Sequence, residues 1–521
     1  MKKSTLLIMA FSIVTRLTSF FFKIYLSRRV GAEVLGLFQM AASVFGLFCT
    51  IAGSGIPLML SRRTAELSAL HAPEKQTNGV MTGAVLLSLG IIAFLLFGVF
   101  LLRDRLHFLF SDSRCIPLFF LLLPALVSTV TYQLLRGYFM GKSRYFDYSV
   151  TELLEEVIKI VACLTFLSNV FITLSREAAL TIAFTVTDYL VMAILLILYF
   201  ARGGRFTKPR EMKRLLKAGV PVTGMRIAAG AITSFIAIAL PAALVRSGST
   251  PADAAAEYGR AVGMAFSLLF APLSLTGALS VVILPEAAAL AAKGEREQLR
   301  LRVCESLLFI FVITVLFYTL FLVLGEEYGL LLFKDAKAGI FVSCSAGMVI
   351  PAALSGFINT TLNSLGEERK VFGGFLLSSL FLILAVLFLP KRIGIYALSV
   401  GECAFHVCSF LFGMILLSKK EVLSAKLFKP AALIIFFAFP TAFVIRLFSL
   451  LSERWGLGIF LKTTIPTAGG ILVYFLLLLL FKPLPNVKAL LLRSEKKRGS
   501  RQRKKISDPS RIRDPLLSEK P

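Results

Sequence analysis

Several residue types are scarce in this sequence. Its 521 residues include 30 acidic residues, three histidines and one tryptophan. The seven cysteines lie singly in apolar stretches and never in a C-x-x-C spacing, so we interpret them as small buried hydrophobic residues. No group of ligand-type residues has metal-site spacing. The sequence therefore predicts no metal, no cofactor and no catalytic residues, and we expect a protein that is not an enzyme.

Long hydrophobic runs dominate the chain instead. Hydrophobic residues make up 57% of it, and about 20 apolar residues are enough to cross roughly 30 Å of hydrocarbon. We therefore predict an all-α integral membrane protein with about 14 transmembrane helices. The predicted spans are 4–27, 34–58, 79–102, 116–140, 151–172, 178–200, 218–245, 258–284, 303–324, 339–364, 372–390, 394–417, 430–451 and 457–481.

The excess of basic residues indicates the orientation in the membrane. The formal net charge is +27. With the N-terminus in the cytoplasm, the loops on that side carry about 24 Lys and Arg residues and those on the other side about 12. We therefore expect a multi-pass protein of the cell membrane with both termini in the cytoplasm. The first run is long and contains charges, so we expect an uncleaved span rather than a signal peptide.

The two halves of the sequence echo each other. Pro57 and Pro285 end similar spans and lie 228 positions apart, and Gly141 and Gly366 follow similar spans at a distance of 225 positions. Such offsets predict a duplicated six-helix unit, a design that recurs in secondary transporters. The predicted parts are a six-helix lobe at 1–201, a basic cytoplasmic linker at 202–217, a second lobe at 218–418, two further helices within 430–481 and a tail at 482–521.

The tail is strongly basic. It carries 13 basic and four acidic residues, which predicts a disordered segment held near anionic membrane lipids rather than a nucleic-acid site.

The first span carries charge where hydrocarbon is expected. Ser12, Arg16, Ser19 and Lys23 share one helical face. A basic residue at the membrane centre costs about 2.5–3.5 kcal/mol on insertion scales, so a helix that keeps two of them must turn them toward protein, water or an anion. This stripe predicts a wet, positively charged cavity, and arginine suits the phosphate groups of a ligand. The alternative is that Arg16 pairs with Asp188 or another buried acid and only holds helices together.

Other charged residues extend the predicted site. Arg226 lies inside the seventh span and Arg260 begins the eighth, so both are candidates for substrate binding. Asp188 and Glu402 lie deep in the sixth and twelfth spans; we expect counter-ions or ligands of a coupling Na⁺ or H⁺, with structural pairing as the equal alternative. His406 lies four residues after Glu402, which places the two on one helical face.

Two motifs receive a structural interpretation. The segment Gly137–Ser143, GYFMGKS, resembles a phosphate loop, but Arg136 occupies the position of the required first glycine, so no nucleotide site is expected. Ser149 and Glu152 fit a capping box, and Glu155 with Lys159 an i, i+4 pair, at the start of the fifth helix.

Several stretches resemble a known family. TRLTSFFFKIYLSRRVGAEVLGLFQMAASVFGLFCTIAGSGIPLMLSRRTAE, LLRGYFMGKSRY, and the region from EYGRAVGMAFSLLFAP to ILPEAAALAAKGE resemble the stage V sporulation protein B group of polysaccharide exporters. That group stands with the lipid II and O-antigen flippases in the multidrug/oligosaccharidyl-lipid/polysaccharide exporter superfamily. The resemblance implies the fold shared with multidrug exporters, with two six-helix lobes and helices 13 and 14 outside them.

The resemblance also implies a function. A flippase of this group moves an undecaprenyl-pyrophosphate-linked oligosaccharide, or a peptidoglycan or spore-cortex precursor, across the cytoplasmic membrane by alternating access. Arg16 and Lys23 match the basic first helix of the lipid II flippases. Arg260 lies twelve residues before Pro272, farther than the flippase arginine lies from its proline, and Arg226 has no counterpart. The alternatives are a cation-coupled multidrug exporter of the same fold and a membrane-embedded glycosyltransferase or ligase.

Overall fold

The computed structural model describes residues 2–53, 55–108, 110–168, 174–423 and 428–482, and within these ranges the chain is helical with no strand. Helices 103–108 and 346–348 are short 3₁₀ turns, and 259–265 and 329–333 are π-helical. The α-helices are α1 Lys2–Gly53, α2 Ile56–Ala69, α3 Glu74–Leu101, α4 Cys115–Leu122, α5 Ala125–Gly141, α6 Tyr145–Phe166, α7 Arg176–Ala201, α8 Met212–Arg246, α9 Pro251–Tyr258, α10 Phe266–Leu269, α11 Ala271–Ala292, α12 Arg296–Tyr328, α13 Ala336–Ser345, α14 Val349–Ser364, α15 Glu368–Phe388, α16 Pro390–Ile393, α17 Tyr396–Lys419, α18 Phe428–Arg454 and α19 Ile459–Phe481.

The all-α membrane fold is confirmed, and each predicted span overlaps a helix. In the described ranges, ten helices are long and apolar enough to cross a membrane, or eleven if the bent pair α4 and α5 is one span. Three features account for the difference from about 14. The first two predicted spans run on in one helix, α6 carries several charges, and the eighth span is divided among α9, α10 and α11.

The first two spans are joined without a loop. Gly31 lies inside α1 at φ 82° and ψ 172°, and the helix bends there. A positive φ strains residues that have a Cβ atom, whereas glycine adopts it readily. The loop expected at 28–33, between the first two predicted spans, is therefore replaced by a bend at one glycine.

The helix packing repeats between the two parts of the chain. In the N-terminal half, residues 1–201, α5 packs against α2 and α7, and α6 packs against α7. In the C-terminal half, residues 218–418, α14 packs against α11 and α17, and α15 against α17. Within the N-terminal half, Gly137 and Gly141 of the apparent phosphate loop face the backbone of α2, where a Cβ atom would clash with the Pro57 and Ser61 carbonyls. That motif therefore serves helix packing.

The two halves meet closely at the end of the molecule where α1 bends. A Cβ atom on Gly36 would clash with the Ala255 carbonyl, and one on Gly259 with the Ala32 carbonyl. Nearby, the Arg28 guanidinium donates to the carbonyl of Leu332 at 2.6 Å and to that of Leu331. These contacts close this end, which we call the closed end.

The predicted linker lies against the N-terminal half. Arg63 of α2 makes a two-pronged ion pair with Glu211, with both N–O distances at 2.8 Å. The Arg210 amide donates to the Gly79 carbonyl at 2.9 Å. The segment before α8 is therefore fixed to α2 and α3 at the end of the molecule opposite the closed end.

The last two described helices pack outside both halves. Helices α18 and α19 pack against each other and against α12. The Tyr474 hydroxyl donates to the Val312 carbonyl at 2.9 Å, and the Tyr328 and Thr467 hydroxyls are 2.8 Å apart. The predicted basic tail at 482–521 lies, apart from Lys482, outside the described residues.

Candidate functional site

The polar stripe of α1 lines a cavity between the two halves. The cavity has a volume of about 730 Å³. Arg16, Ser19 and Lys23 lie on its wall, and Gln39 reaches it from the second part of α1. The side chain of Ser12 is outside the described set. Arg16, Ser19 and Lys23, which the sequence predicts on one helical face, therefore lie on one cavity wall.

The opposite wall comes from the C-terminal half and is mostly apolar. It is formed by the segment from the π-helix into α11 and by one residue of α12, with hydroxyls as its only described polar side chains: Val262, Phe266, Ser267, Phe270, Ala271, Ser274 and Phe317. The described lining includes no acidic residue. All charged side chains in the described lining of this cavity therefore come from α1, and they are basic.

Arg16 and Lys23 lack a salt-bridge partner of their own. Both residues are exposed to the cavity, and neither forms an ion pair within 4.0 Å among the described residues. The alternative in which Arg16 pairs with Asp188 is not what the structure contains, since Asp188 accepts a 2.5 Å hydrogen bond from Thr129 Oγ1. A basic pair on an apolar wall is suited to an anion, because an anion would offset the cost of placing two positive charges in the membrane.

Lys23 also borders a smaller cavity of about 330 Å³, which is lined mainly by the N-terminal half. Glu156 and Lys159 of α6 line it together with Phe184. Lys159 Nζ lies 3.0 Å from Glu156 Oε1 and 3.5 Å from Glu155 Oε1. Glu155 in turn pairs with Arg136 of α5 at 2.9 Å. These four side chains, which we call the α5–α6 charge network, are only 13–16% exposed.

The α5–α6 charge network corrects the sequence interpretation of α6. The expected capping box is wrong, because α6 begins at Tyr145 and the Ser149 hydroxyl is buried with no partner among the described residues. Glu155 and Lys159 do pair, but more than two turns inside the helix. The spacing of charges within α6 was visible in the sequence, whereas Arg136 comes from another helix and was not assigned a role there.

Arg226 lines a different cavity from Arg16. This second cavity, of about 720 Å³, lies between α1, α2, α5 and α8. Arg136, Gln133 and Tyr148 share its wall with Arg226. Arg16 and Lys23 therefore line one cavity, and Arg226 lines another.

Arg260 lies near the closed end in an ion pair. Its Nε atom lies 2.8 Å from Asp335 Oδ2, and Asp335 also caps α13 by accepting from the Ala338 amide at 3.0 Å. Arg260 does not line the cavities of the described residues reported above. The pair joins the π-helix 259–265 to the start of α13 within the C-terminal half.

Glu402 faces His406, as the spacing predicts. Glu402 Oε2 lies 3.6 Å from His406 Nε2, and His406 Nδ1 lies 3.4 Å from Ser355 Oγ. The rings of Phe270 and Phe405 pack against His406 at centroid distances of 6.4 and 5.0 Å. Because Phe270 also lines the central cavity, this polar pair lies directly behind its apolar wall.

Two comparisons place the chain among known proteins. A model of the polysaccharide biosynthesis protein family matches residues 1–288. Stage V sporulation protein B of Bacillus subtilis (strain 168) is 26% identical over 316 residues, or 58% of this chain and 60% of that one. Sporulation protein YkvU of the same organism is 22% identical over 271 residues, or 50% and 59% of the two chains. The match therefore spans about 60% of the length of these curated relatives.

Solved structures establish the fold. A structure described as the lipid II flippase MurJ in an inward closed conformation superimposes with a TM-score of 0.70 at 15% identity, covering 91% of this chain and 98% of that one. An inward-facing multidrug resistance MATE family transporter of the MOP superfamily gives 0.64 at 13% identity, with 78% and 95% coverage. Since the family model covers more than half of the sequence, this chain belongs to the polysaccharide biosynthesis protein family.

Proposed function

We propose that this chain is a flippase that moves a lipid-linked sugar pyrophosphate across the cytoplasmic membrane by alternating access. The observation that carries the proposal is the pair Arg16 and Lys23, which line the central cavity, whose described lining includes no Asp or Glu. A pyrophosphate head supplies the negative charge that this wall lacks. Guanidinium groups bind such oxygens through two parallel hydrogen bonds.

The shape of the site also suits a substrate with a polar head and an apolar tail. The head of an undecaprenyl-pyrophosphate-linked oligosaccharide or peptidoglycan precursor cannot cross hydrocarbon unaided, since its charges lose their hydration. A cavity of about 730 Å³ with hydroxyl and amide side chains beside its cations offers the head a replacement for water. Its polyprenyl tail remains in the lipid.

The orientation of the molecule in the membrane determines which face the closed end meets. With the N-terminus in the cytoplasm, the contacts of Gly36 and Gly259 lie toward the outer face. The described arrangement is then closed to the outside, and the basic cavity belongs to the cytoplasmic side. Transport requires the two halves to separate at the closed end and meet at the other.

The remaining predicted residues take secondary roles in the proposal. Arg226 contacts the substrate head in the second cavity, and Asp188 and Glu402 are candidates for coupling Na⁺ or H⁺. A substrate role for Arg260 stays a prediction, since Asp335 already pairs with it. Binding of the basic tail to anionic lipids stays a prediction as well.

A complementation experiment tests the proposal. The chain is expressed in Bacillus subtilis lacking Stage V sporulation protein B, and lipid-linked precursors are extracted during sporulation. We expect wild-type protein to restore sporulation and to lower the accumulated lipid-linked precursor, and Arg16→Gln to do neither at equal membrane abundance. Restoration by Arg16→Gln would remove the role proposed for this residue.

The same strains test the rival function. Aromatic rings on the cavity wall, from Phe266, Phe270 and Phe317, would also suit an apolar drug. A cationic drug, however, would face Arg16 and Lys23 directly. Drug resistance conferred by wild-type protein, without any change in lipid-linked precursor, would favour the cation-coupled multidrug exporter.

A further inference from the structure

The second cavity is separate from the central one and carries two arginines on its wall. It measures about 720 Å³, and Arg136 and Arg226 lie on its wall with Gln133 and Tyr148. Its described lining includes no Asp or Glu. Arg226 is exposed to the cavity even though it lies about four turns into α8.

Arg136 is held in place from outside this cavity. Its Nη1 atom pairs with Glu155 at 2.9 Å and its Nη2 atom donates to the Thr151 carbonyl at 3.0 Å. The guanidinium lies 5.1 Å from the centre of the Tyr132 ring. Its Nε atom is buried and has no hydrogen-bond partner among the described residues. A guanidinium fixed by these contacts is preorganised for an anion, because little freedom is lost on binding.

One face of α1 connects the two cavities. Gln39, Ser43, Gly46, Thr50 and Gly53 recur at alternating intervals of four and three, so they form a stripe of polar and small residues. Gln39 lines the central cavity, while Gly46, Thr50 and Gly53 line the second one. Eleven residues of helix separate Gln39 from Thr50, a rise of about 16 Å.

Helix α8 covers the stripe between the cavities. Ser234 Oγ donates to the Ser43 carbonyl at 2.8 Å, and Ser234 is buried. The two cavities are therefore separated in this state by a contact between α1 and α8.

We propose that the Arg136–Arg226 cavity is a second anion-binding site, which holds a diphosphate head before it passes along the α1 stripe to Arg16 and Lys23. The inference rests on the proposed function for the identity of the lipid-linked diphosphate. In the predicted orientation this site lies nearer the cytoplasm, where the substrate is made available. A substrate that enters here meets two successive basic sites instead of one.

Binding stoichiometry tests the inference. The full chain is purified in nanodiscs of zwitterionic lipid and titrated with farnesyl pyrophosphate, a short lipid-linked diphosphate, by calorimetry. We expect two sites in wild-type protein, with the second weakened at least tenfold by Arg226→Gln and the central one at least tenfold by Arg16→Gln, since each change removes charge-assisted hydrogen bonds. Arg246→Gln, at the exposed end of the same helix α8, is the matched control and should leave both sites intact.

Labelling locates the second site. Met140 lines the second cavity and is 42% exposed. In a chain whose native cysteines, including Cys49 of the same cavity, are replaced by serine, a Met140→Cys variant reacts with a maleimide there. Farnesyl pyrophosphate should slow that reaction several-fold in the Arg16→Gln background and not in the Arg226→Gln background. Inorganic pyrophosphate should protect more weakly than the lipid form. Nanodiscs containing phosphatidylglycerol should leave the protection in place.

The outcomes separate this inference from the proposed function. One site, abolished by Arg16→Gln and insensitive to Arg226→Gln, overturns the second site and supports the central one. Loss of protection in phosphatidylglycerol nanodiscs assigns the cavity to a membrane phospholipid and also overturns the inference. Binding that neither substitution changes, or no binding at all, contradicts both.

Discussion

The two halves of this protein share a helical framework but not its charges. In the N-terminal half, Arg16 and Lys23 face the central cavity, and the α5–α6 charge network lies behind them. In the C-terminal half, the equivalent wall is aromatic and hydroxylic, with the Glu402–His406 pair behind it. The comparison shows that helix contacts repeat between the halves, whereas the charged residues in the described lining of the central cavity come only from the N-terminal half.

The polar contacts between the fourth and sixth spans of each half show the same difference in individual residues. Thr129 of α5 donates to Asp188 of α7, and Ser355 of α14 lies 3.4 Å from His406 of α17. Thr129 and Ser355 lie 226 positions apart, close to the offset of the sequence echo. The same helix pair is thus joined by a hydroxyl in both halves, with a different partner in each.

The largest expected effect is on transport, from a change in the N-terminal wall. Arg16→Gln should lower the flipping rate about 100-fold, since it removes charge-assisted hydrogen bonds worth about 1.5–3 kcal/mol each. Ser267→Ala on the opposite wall should change the rate less than about threefold, because it removes one neutral hydroxyl. Rates are measured as the fraction of lipid-linked precursor reaching the outer leaflet. Equal losses from the two changes would break the comparison.

Stability should show the next largest contrast. Arg136→Met leaves Glu155 with only Lys159, and breaking an ion pair that is largely buried costs about 3 kcal/mol of unfolding free energy. Glu402→Gln keeps a hydrogen-bonding group beside His406, so we expect a loss of less than about 1 kcal/mol. Denaturant unfolding in detergent, followed by circular dichroism, measures both.

A double variant checks the cause of that stability loss. Arg136→Met combined with Glu155→Gln removes both charges, so the unfolding free energy should recover partly. If the double variant is as unstable as the sum of its single changes, the ion pair is not the reason.

The contact between the halves at Gly259 should weaken when a larger side chain replaces the glycine. Leucine at Gly259 would meet the Ala32 carbonyl, which costs about 1–3 kcal/mol and disfavours the closed end. With Ser267→Cys as a reporter in the central cavity, labelling by an impermeant maleimide from outside the cell should rise several-fold. Gly356→Leu is the matched control, since no atom lies within 4 Å of the added Cβ. Unchanged labelling in Gly259→Leu would mean that this contact does not close the cavity.

The smallest expected effect is on the pH dependence of the melting temperature, and it should be similar in the two halves. Arg63 lowers the pKa of Glu66 in the N-terminal half, and Lys420 and Lys370 lower that of Glu367 in the C-terminal half, both from about 4.5. A carboxylate with a lowered pKa stabilises the folded state above the ordinary value, and this contribution is lost as the pH falls through the folded pKa. We expect Glu66→Gln and Glu367→Gln each to flatten slightly the fall of the melting temperature below pH 4.5. A steeper fall in either variant would contradict the sign.

The fold and one wall of the site were accessible from the sequence. Each span predicted from hydropathy overlaps a helix of the described residues, because lipid imposes long apolar helices. The spacing of Arg16, Ser19 and Lys23 predicted a shared face, and the structure places these residues on one cavity wall. The predicted spans 4–27 and 34–58 imply a turn between them, but hydropathy does not show that the bend lies at a single residue, Gly31, inside α1.

Long-range pairing explains what the sequence did not show. Asp335, the partner of Arg260, lies 75 positions away, and Arg136 meets Glu155 from another helix. From their i, i+4 spacing alone, Glu155 and Lys159 were therefore predicted at the start of a helix. Likewise, helical spacing reveals a common face within α1 but not that Arg226 faces a separate cavity.

The most direct measurement is flipping of a fluorescent undecaprenyl-pyrophosphate-linked sugar in proteoliposomes of purified protein. The account predicts that wild-type protein moves the lipid well above the rate of empty liposomes. The Arg16→Gln/Lys23→Gln variant, folded and inserted equally well, should move it at the rate of empty liposomes. Wild-type rates from that double variant would contradict the claim that these two cations carry the head of the substrate.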